Sequence, residues 1–219
     1  LPMAAPDSPW GQRNKIALQI VGRAGEADPG FFRMRSRDVV PIRECPVQDP
    51  AGTALAFKAV QVVNRVGLEP WREWDDRGVV KSLVVRAMGT GQSHVTVVSR
   101  ETHLPREERL VRELSRTGAT TVSINVNDRP GPQLMGRETF VLAGPPRIVE
   151  EIGGLKYLSS AGAFFQTSAW GAAFLADAVR RLVDAPEGAR VIDLYSGGGL
   201  LSLALADAGA EVVGIEENP

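Results

Sequence analysis

The spacing of apolar positions divides the chain into two textures. Between residues 10 and 160 apolar residues recur in short runs, partly alternating with polar ones and often β-branched, as half-buried strands require. Lys15-Ile-Ala-Leu-Gln-Ile-Val21 is the first such run, and Phe31-Phe-Arg-Met-Arg35 and Val39-Val-Pro-Ile42 predict two more, with Gly25 to Gly30 as a turn region between them. Residues 78–87 and 94–99 predict a hairpin about the turn-rich Gly89-Thr-Gly91. Further strands are predicted near 120–126, 138–142, 147–151 and 155–159, with Asn127 to Pro132 as a loop. Two stretches have helical spacing instead. After Asp49-Pro50, residues Leu55, Val60, Val63 and Val66 predict a helix over about 52–66. A second helix is predicted over 105–114, with Pro105 in its first turn and early acids that suit the helix dipole.

Near residue 167 the texture changes. Thr167 or Ser168 is placed to cap a helix over about 169–184, whose apolar face is Trp170, Phe174, Leu175, Ala178, Val179, Leu182 and Val183. A strand (190–194), a helix (199–208) and a strand (211–216) then make one β-α-β unit. The predicted organisation is a loose segment over 1–9, broken by Pro2, Pro6 and Pro9, and an α+β domain of mostly antiparallel strands over 10–160. The start of a Rossmann-like domain follows over 161–219. A parallel sheet needs several strands and cover on both faces. A single β-α-β unit, in a sequence that does not begin with Met, therefore reads as a fragment of a longer chain.

Composition narrows the classes. A hydrophobic share of 43% with 23% charged residues is ordinary for a globular protein, and the net charge of -1 supplies no global attraction to nucleic acid. Any RNA contact would come from a local patch. The single cysteine excludes an internal disulfide and fits a reducing, cytoplasmic setting. No apolar run approaches the ~18 residues of a membrane-spanning helix, and the N-terminus has no signal-peptide pattern.

The most informative stretch is Val191-Ile-Asp-Leu-Tyr-Ser-Gly-Gly-Gly-Leu200 with Gly214-Ile-Glu-Glu217. Asp193, Gly197 and Gly199 form D-x-x-x-G-x-G at a strand end, where glycines let a turn approach a ligand and the next helix points amide donors into the crevice. Glu216, at the end of the following strand, is placed to accept hydrogen bonds from ribose hydroxyls. A dinucleotide site would continue to a third glycine, where this chain has Ser202. The acid four residues before the first glycine suits S-adenosylmethionine (SAM) better, since that ligand carries a cationic amino group and no pyrophosphate. A tight turn without any ligand is the remaining alternative.

These residues, taken with others, resemble the RNA 5-methyluridine (uracil-5-) methyltransferase family. Ala163-Phe-Phe-Gln-Thr167 followed by a helix and the glycine turn carries the resemblance most specifically. Trp10-Gly-Gln-Arg-Asn-Lys15, Glu44-Cys-Pro-Val-Gln48 and the run from Gly136 through Leu155 extend it over residues 9–219. Departures are Ser196 where many members have Cys, Leu200 where several have Asn or Thr, and Thr167-Ser168 in place of Val-Asn. The resemblance implies a three-part enzyme: an RNA-binding barrel, a central α+β domain and a Rossmann methyltransferase domain. It implies that Gln166 contacts SAM, Tyr195 packs against it and Glu216 binds its ribose. Phe164 and Phe165 would lie near the target base, although apolar residues before a helix more simply staple it to the core.

The resemblance also implies RNA, transfer or ribosomal, as partner of a monomeric enzyme that acts on neither DNA nor membrane. Arg13, Lys15, Arg33, Arg35 and Arg37 form a basic cluster able to meet phosphates, or else a solvated charged face. Cys45 matches the position that supplies the fourth ligand of a 4Fe-4S cluster in many members, and otherwise reads as a structural thiol. In the family a cysteine thiolate attacks carbon-6 of uracil and a carboxylate later removes the carbon-5 proton. No Ser-Cys-Asn-Pro type motif occurs here, so this chain is expected to be inactive alone. Two other readings stand beside this one: a non-catalytic RNA-binding or assembly module, and a SAM enzyme acting on a small molecule. His94 and His103 have no ligand or catalytic spacing.

Overall fold

The structure, a computed structural model, describes residues 4–129, 131 and 133–217. Of the expected loose segment only residues 4–9 fall within it, and these carry no helix or strand; Pro130 and Pro132 of the expected loop lie outside the described residues. Seven strands form one sheet in the order β3-β2-β1-β4-β5-β6-β7. They are β1 (Lys15–Arg23), β2 (Glu26–Phe32), β3 (Val39–Pro41), β4 (Val80–Ala87), β5 (Ser93–Ser99), β6 (Thr121–Val126) and β7 (Glu138–Ala143). Every neighbouring pair is antiparallel except β5–β6. That parallel pair needs a crossover, supplied by α2 (Glu107–Ser115).

The sheet's two faces differ in chemistry. On one, α1 (Pro50–Val66) and α2 bury Ile16, Leu18, Ile20, Leu83, Val85, Val95, Val97 and Ile124 beneath Val63, Leu110 and Leu114. Helix α1 starts where Asp49 accepts amide hydrogen bonds from Ala51 and Gly52, and it stops at Gly67, whose φ of 73° closes the last turn. The opposite face carries Ser82, Arg86, His94, Thr96, Ser123 and Asn125, all buried. Buried polar groups need partners. Asn125 finds them by clasping the chain after β6: its Oδ1 accepts from Gly136 N (2.7 Å) and its Nδ2 donates to Glu138 O (3.0 Å). Lys81 Nζ donates to Asn127 O (3.2 Å) and Arg129 O (2.8 Å), and so holds the same loop from the other side.

Beyond the sheet, β8 (Ile148–Ile152) and β9 (Leu155–Ser159) form a hairpin. It is tied to the β4–β5 turn by Thr90 Oγ1 donating to Val149 O at 2.6 Å and Gly89 N donating to Glu150 Oε1 at 3.0 Å. Then come α3 (Ala169–Val183), β10 (Arg190–Leu194), α4 (Leu200–Asp207) and β11 (Glu211–Ile215). Strands β10 and β11 pair in parallel, with Asp193 opposite Gly214. A second small core of Ile152, Tyr157, Phe165 and Ala172 joins the hairpin to α3, with Leu200 at the head of α4 packed against it.

Four expectations change. Of the stretch from Gly25 to Gly30 only Gly25 is in a turn: β2 begins at Glu26, and Gly30 is pressed so close to β3 that a Cβ would meet Val40 O at 2.3 Å. The strand expected to reach Arg35 ends at Phe32, and Arg35 turns the chain with φ of 58°. Pro105 lies before the helix, which is capped by Arg106. The apolar face of α3 is mostly uncovered: Ala172 is its one buried residue, while Trp170 and Phe174 stack on each other at 5.4 Å. Ser168, one of the two candidate caps, does accept from Gly171 N.

Asn64 locks α1 to the sheet edge, accepting from Ala27 N (2.6 Å) and donating to Ala27 O (3.0 Å). Replacing both bonds by nothing leaves two partly buried backbone groups unpaired. Asn64→Ala should lower unfolding free energy by about 1–3 kcal/mol, read as a lower urea midpoint at unchanged slope.

Candidate functional site

Three segments meet at Asn14. Its N–H donates to Thr167 O (2.6 Å), its side-chain amide donates to Gln166 O (3.4 Å), and its carbonyl accepts from Ala87 N (2.9 Å). The head of β1, the end of β4 and the Phe164–Thr167 segment are thereby joined. Gln48 braces the same place from below. With its side-chain amide oriented so that both its atoms find partners, it donates to Lys15 O (2.9 Å) and Arg13 O (3.1 Å). The Phe164–Thr167 segment then divides two hollows, with Phe164 and Phe165 in the wall of both.

The first hollow is a cleft of about 140 Å³ against the glycine turn, with Gln166, Asp193, Tyr195, Gly197 and Leu201 in its lining. Local geometry explains its shape. The turn needs left-handed backbone at Gly197 (φ 53°) and Gly199 (φ 79°), and it imposes the same on Tyr195 (φ 61°). That conformation is uncommon for a residue with a side chain and costs on the order of 1 kcal/mol or more. It leaves the Tyr195 ring 82% exposed at the mouth. A Cβ at Gly197 would meet nothing within 4 Å, so the space over the turn is open. Asp193 Oδ2 accepts from Ser202 Oγ at 2.6 Å, which fixes the carboxylate at the strand end. Glu216 Oε2 accepts from Gly197 N at 2.7 Å, so the acid after β11 braces the glycine turn.

The second hollow, about 380 Å³, lies over the polar face of the sheet, lined by Arg13, Lys15, Gln48, Arg86, Phe164, Phe165 and their neighbours. The two phenylalanines have different surroundings. Phe165 is 5% exposed, with its ring 6.1 Å from that of Tyr157, which is the staple role; Phe164 is 75% exposed and free to face a ligand. Burial, with Arg86 and Arg13 adding to it, pushes the Lys15 ammonium below its ordinary pKa. Burial likewise lowers Arg86 to about 10, partly offset by Glu150.

Sequence reasoning placed Gln166, Asp193, Tyr195, Gly197, Gly199 and Glu216 at one turn; the first four line the cleft, Gly199 caps α4 beside them and Glu216 bonds into the turn. Arg13 and Lys15 do meet Phe164 and Phe165. Arg33, Arg35 and Arg37 do not line that hollow, and Arg37 is ion-paired with Glu73. Cys45 is half-buried with its carbonyl accepting from Gln48 N, and among the described residues no group of metal-ligating side chains surrounds it. Ser202 and Arg86 went unanticipated. Ser202 is in the motif but carried no signal beyond its failure to be glycine. Arg86 is 71 positions from Lys15 in sequence and opposite it in the sheet, which only strand register reveals.

No family model matches the chain. An uncharacterized RNA methyltransferase of Thermosynechococcus vestitus is 35% identical over 226 residues, spanning 99% of this chain and 48% of that protein. An uncharacterized RNA methyltransferase of Bacillus cereus is 28% identical over 221 residues, spanning 100% of this chain and 48% of the relative. The solved tRNA (uracil-54, C5)-methyltransferase of Pyrococcus abyssi, in complex with S-adenosyl-L-homocysteine, matches with a TM-score of 0.78 and 26% identity. That match covers 97% of this chain and 50% of the other. Over nearly its whole length the chain is thus similar to RNA methyltransferases, a solved tRNA (uracil-54, C5)-methyltransferase among them. It spans about half the length of the relatives it matches. The mixed α/β architecture with its large sheet is that of the solved methyltransferase.

His94, behind the basic hollow, gives a pH test of the polar face. Burial, with Arg86 adding to it, lowers its pKa to about 4, while its Nε2 pairs with Ser123 Oγ at 2.9 Å. The unfolded chain takes up this proton below pH ~6.5, the folded chain only near 4. Stability from this group is therefore complete above about 6.5 and falls as pH drops toward 4, by on the order of 2–3 kcal/mol. A His94→Gln variant should lose correspondingly less between pH 7 and pH 4.5 in urea titrations; parallel losses would refute the assignment.

Proposed function

We propose that the chain is the central sheet and the SAM-gripping turn of a SAM-dependent RNA (uracil-C5) methyltransferase, acting on tRNA or rRNA. The observation that carries this reading is the junction at Asn14. It sets an aromatic pair between a glycine cleft with Asp193 at its floor and a basic hollow with Arg13 and Lys15 in its wall. We divide the chain into a central domain over 10–160 and the head of a methyltransferase domain from 161 on. The similarity to RNA methyltransferases and the S-adenosyl-L-homocysteine in the solved relative support SAM as cofactor.

The residues present fit that cofactor in kind. Asp193 offers negative charge to its cationic amino group, Phe165, Leu175 and Leu201 offer apolar walls, and the open space over Gly197 admits it. Glu216 reaches its ribose from the end of β11, Gln166 touches it from the Phe-Phe-Gln segment, and Tyr195 packs on it at the mouth. SAM supplies an electrophilic methyl group; the chain's own residues bind and orient it. The cleft's volume is below the ~300–1,000 Å³ of small-molecule sites, so only part of the grip is built here. Phe164 faces the target base, and Arg13 and Lys15 face RNA phosphate.

The chain's one thiol, Cys45, does not line the cleft. It takes no part in attack on a base. Alone it also does not fit a 4Fe-4S cluster, which needs four thiolates; as a cluster ligand it would work only with three cysteines from elsewhere. We therefore expect this chain to bind SAM without methylating RNA.

Calorimetric titration tests both halves. SAM and S-adenosylhomocysteine should bind saturably, and Asp193→Asn and Glu216→Gln should each weaken binding about tenfold or more, equivalent to about 1.4 kcal/mol. No saturable binding up to millimolar SAM would end this reading and favour the non-catalytic RNA module. Incubation with labelled SAM and uridine-containing RNA should yield no 5-methyluridine. Tyr195→Asn removes the ring but suits left-handed backbone. It should weaken SAM several-fold while leaving the melting temperature unchanged or higher; a large drop in melting temperature would show that the ring is structural.

A further inference from the structure

We propose that Arg86, with Lys15 and Arg13, forms a phosphate site that holds the RNA chain beside the target nucleotide, across the Phe164–Phe165 pair from the glycine turn. The inference rests on the RNA-methyltransferase reading for its ligand, but on separate observations for its existence. Lys15 and Arg86 are direct cross-strand partners in the β1–β4 ladder. Like charges in that relation repel, and both lie in the wall of one hollow. Strand alternation places Arg13 on the same face two residues earlier. The hollow's lining contains no aspartate or glutamate.

Arg86 is the unusual member. It is 5% exposed, yet a guanidinium has five N–H donors. Its one hydrogen bond is a long one, from Nη1 to Phe165 O at 3.4 Å, and among the described residues it joins no ion pair. Buried charges ordinarily have an ionic partner. The nearest carboxylate, Glu150, attracts Arg86 through space but forms no ion pair with it: its Oε1 accepts from Gly89 N and Glu151 N, and its Oε2 is buried without a hydrogen-bond partner among the described residues. Lys15 makes no side-chain hydrogen bond among the described residues either. Two neighbouring cations, Arg86 buried and Lys15 half-buried, neither in a close ion pair among the described residues, in the wall of a hollow whose lining holds no acid, describe a site completed by an anion. An RNA phosphodiester matches because the exposed Phe164 ring in the same wall offers a face on which the attached base can stack.

The test measures anisotropy of a fluorescein-labelled uridine hexanucleotide at several KCl concentrations, with the full chain. Arg86→Met keeps the buried volume and removes the charge; Lys15→Gln alters a side chain with no partner to lose. Each should weaken RNA binding about fivefold or more and reduce the slope of log affinity against log salt by about 0.7, while Arg86→Lys should retain most of the slope. In Lys15→Gln, removing like-charge repulsion should leave the melting temperature equal or higher. Unchanged affinity and slope in both charge-removing variants would overturn the proposal. So would loss of SAM affinity and melting temperature in Arg86→Met with an unaltered slope in Lys15→Gln, which would make Arg86 a support for Phe165. If millimolar inorganic phosphate raises the wild-type melting temperature while neither substitution touches RNA affinity, the hollow takes free phosphate and the assignment to RNA falls. A reduced slope in a chain that binds no SAM would sink the methyltransferase reading and leave the phosphate site standing.

Discussion

Asn14 is the constraint on which the site depends. Its backbone and side chain bond simultaneously to Gln166, Thr167 and Ala87, with Arg86 of β4 adding a single long bond to Phe165 O. Both hollows inherit their shared wall from it. If the segment moved by a few ångströms, Phe164 would leave the basic face and Phe165 would leave the Tyr157 pocket together. The arrangement also places an acceptor, Asn14 Oδ1, in a buried position without a partner, beside the segment that lines the cofactor cleft. Such an orphan costs stability.

The polar face of the sheet is the second unusual element. One side of the sheet is an apolar core under α1 and α2, as binary patterning requires; the other buries Arg86, His94, Thr96, Ser123 and Asn125. Ordinary strand chemistry would have put apolar residues or open water there. Instead Asn125 and Lys81 draw a loop across part of it, and the Phe164 segment crosses another part. The hollow between the two covers is where charge remains without compensation. Function and stability pull in opposite directions on this face: His94 is held neutral and Lys15 is pushed toward neutrality by the same burial that concentrates positive potential around Arg86.

Much of this was legible along the chain, and the failures have physical causes. Every element but β2 could be placed because its own residues dictate it: Asp49-Pro50 opens α1, and Asp193 through Gly199 makes a β-turn-α junction. The reading failed at Gly25 to Gly30 because Pro and Gly usually break strands; here Gly30 is required by the approach of Val40 O, and Pro29 offers its carbonyl to Ile42 N. The basic cluster was misdrawn for a different reason. Arg33, Arg35 and Arg37 neighbour Arg13 in composition but leave its hollow at the β2–β3 turn, while Arg86 joins it through register. Charge proximity in a sheet is a property of pairing, which one sequence does not display.

The uncovered apolar surface bears on how the two halves work. Ile192, Leu194, Val213 and Ile215 are 52–66% exposed on a sheet of two strands, and the core around Phe165 holds four buried residues against the twenty-two beneath α1 and α2. Small sheets of this kind are marginal in water. Within this chain the seven-stranded sheet holds the larger core, and the glycine turn is joined to it through the smaller one. A ligand there stabilises by an amount that grows with its concentration over its dissociation constant, and this stabilisation passes to the sheet through Phe165 and Asn14. The basic hollow borders that same path. If the cleft takes SAM and the hollow RNA phosphate as proposed, the Phe164–Thr167 wall they share would couple the two: a wall fixed by one ligand would offer the other a preformed surface.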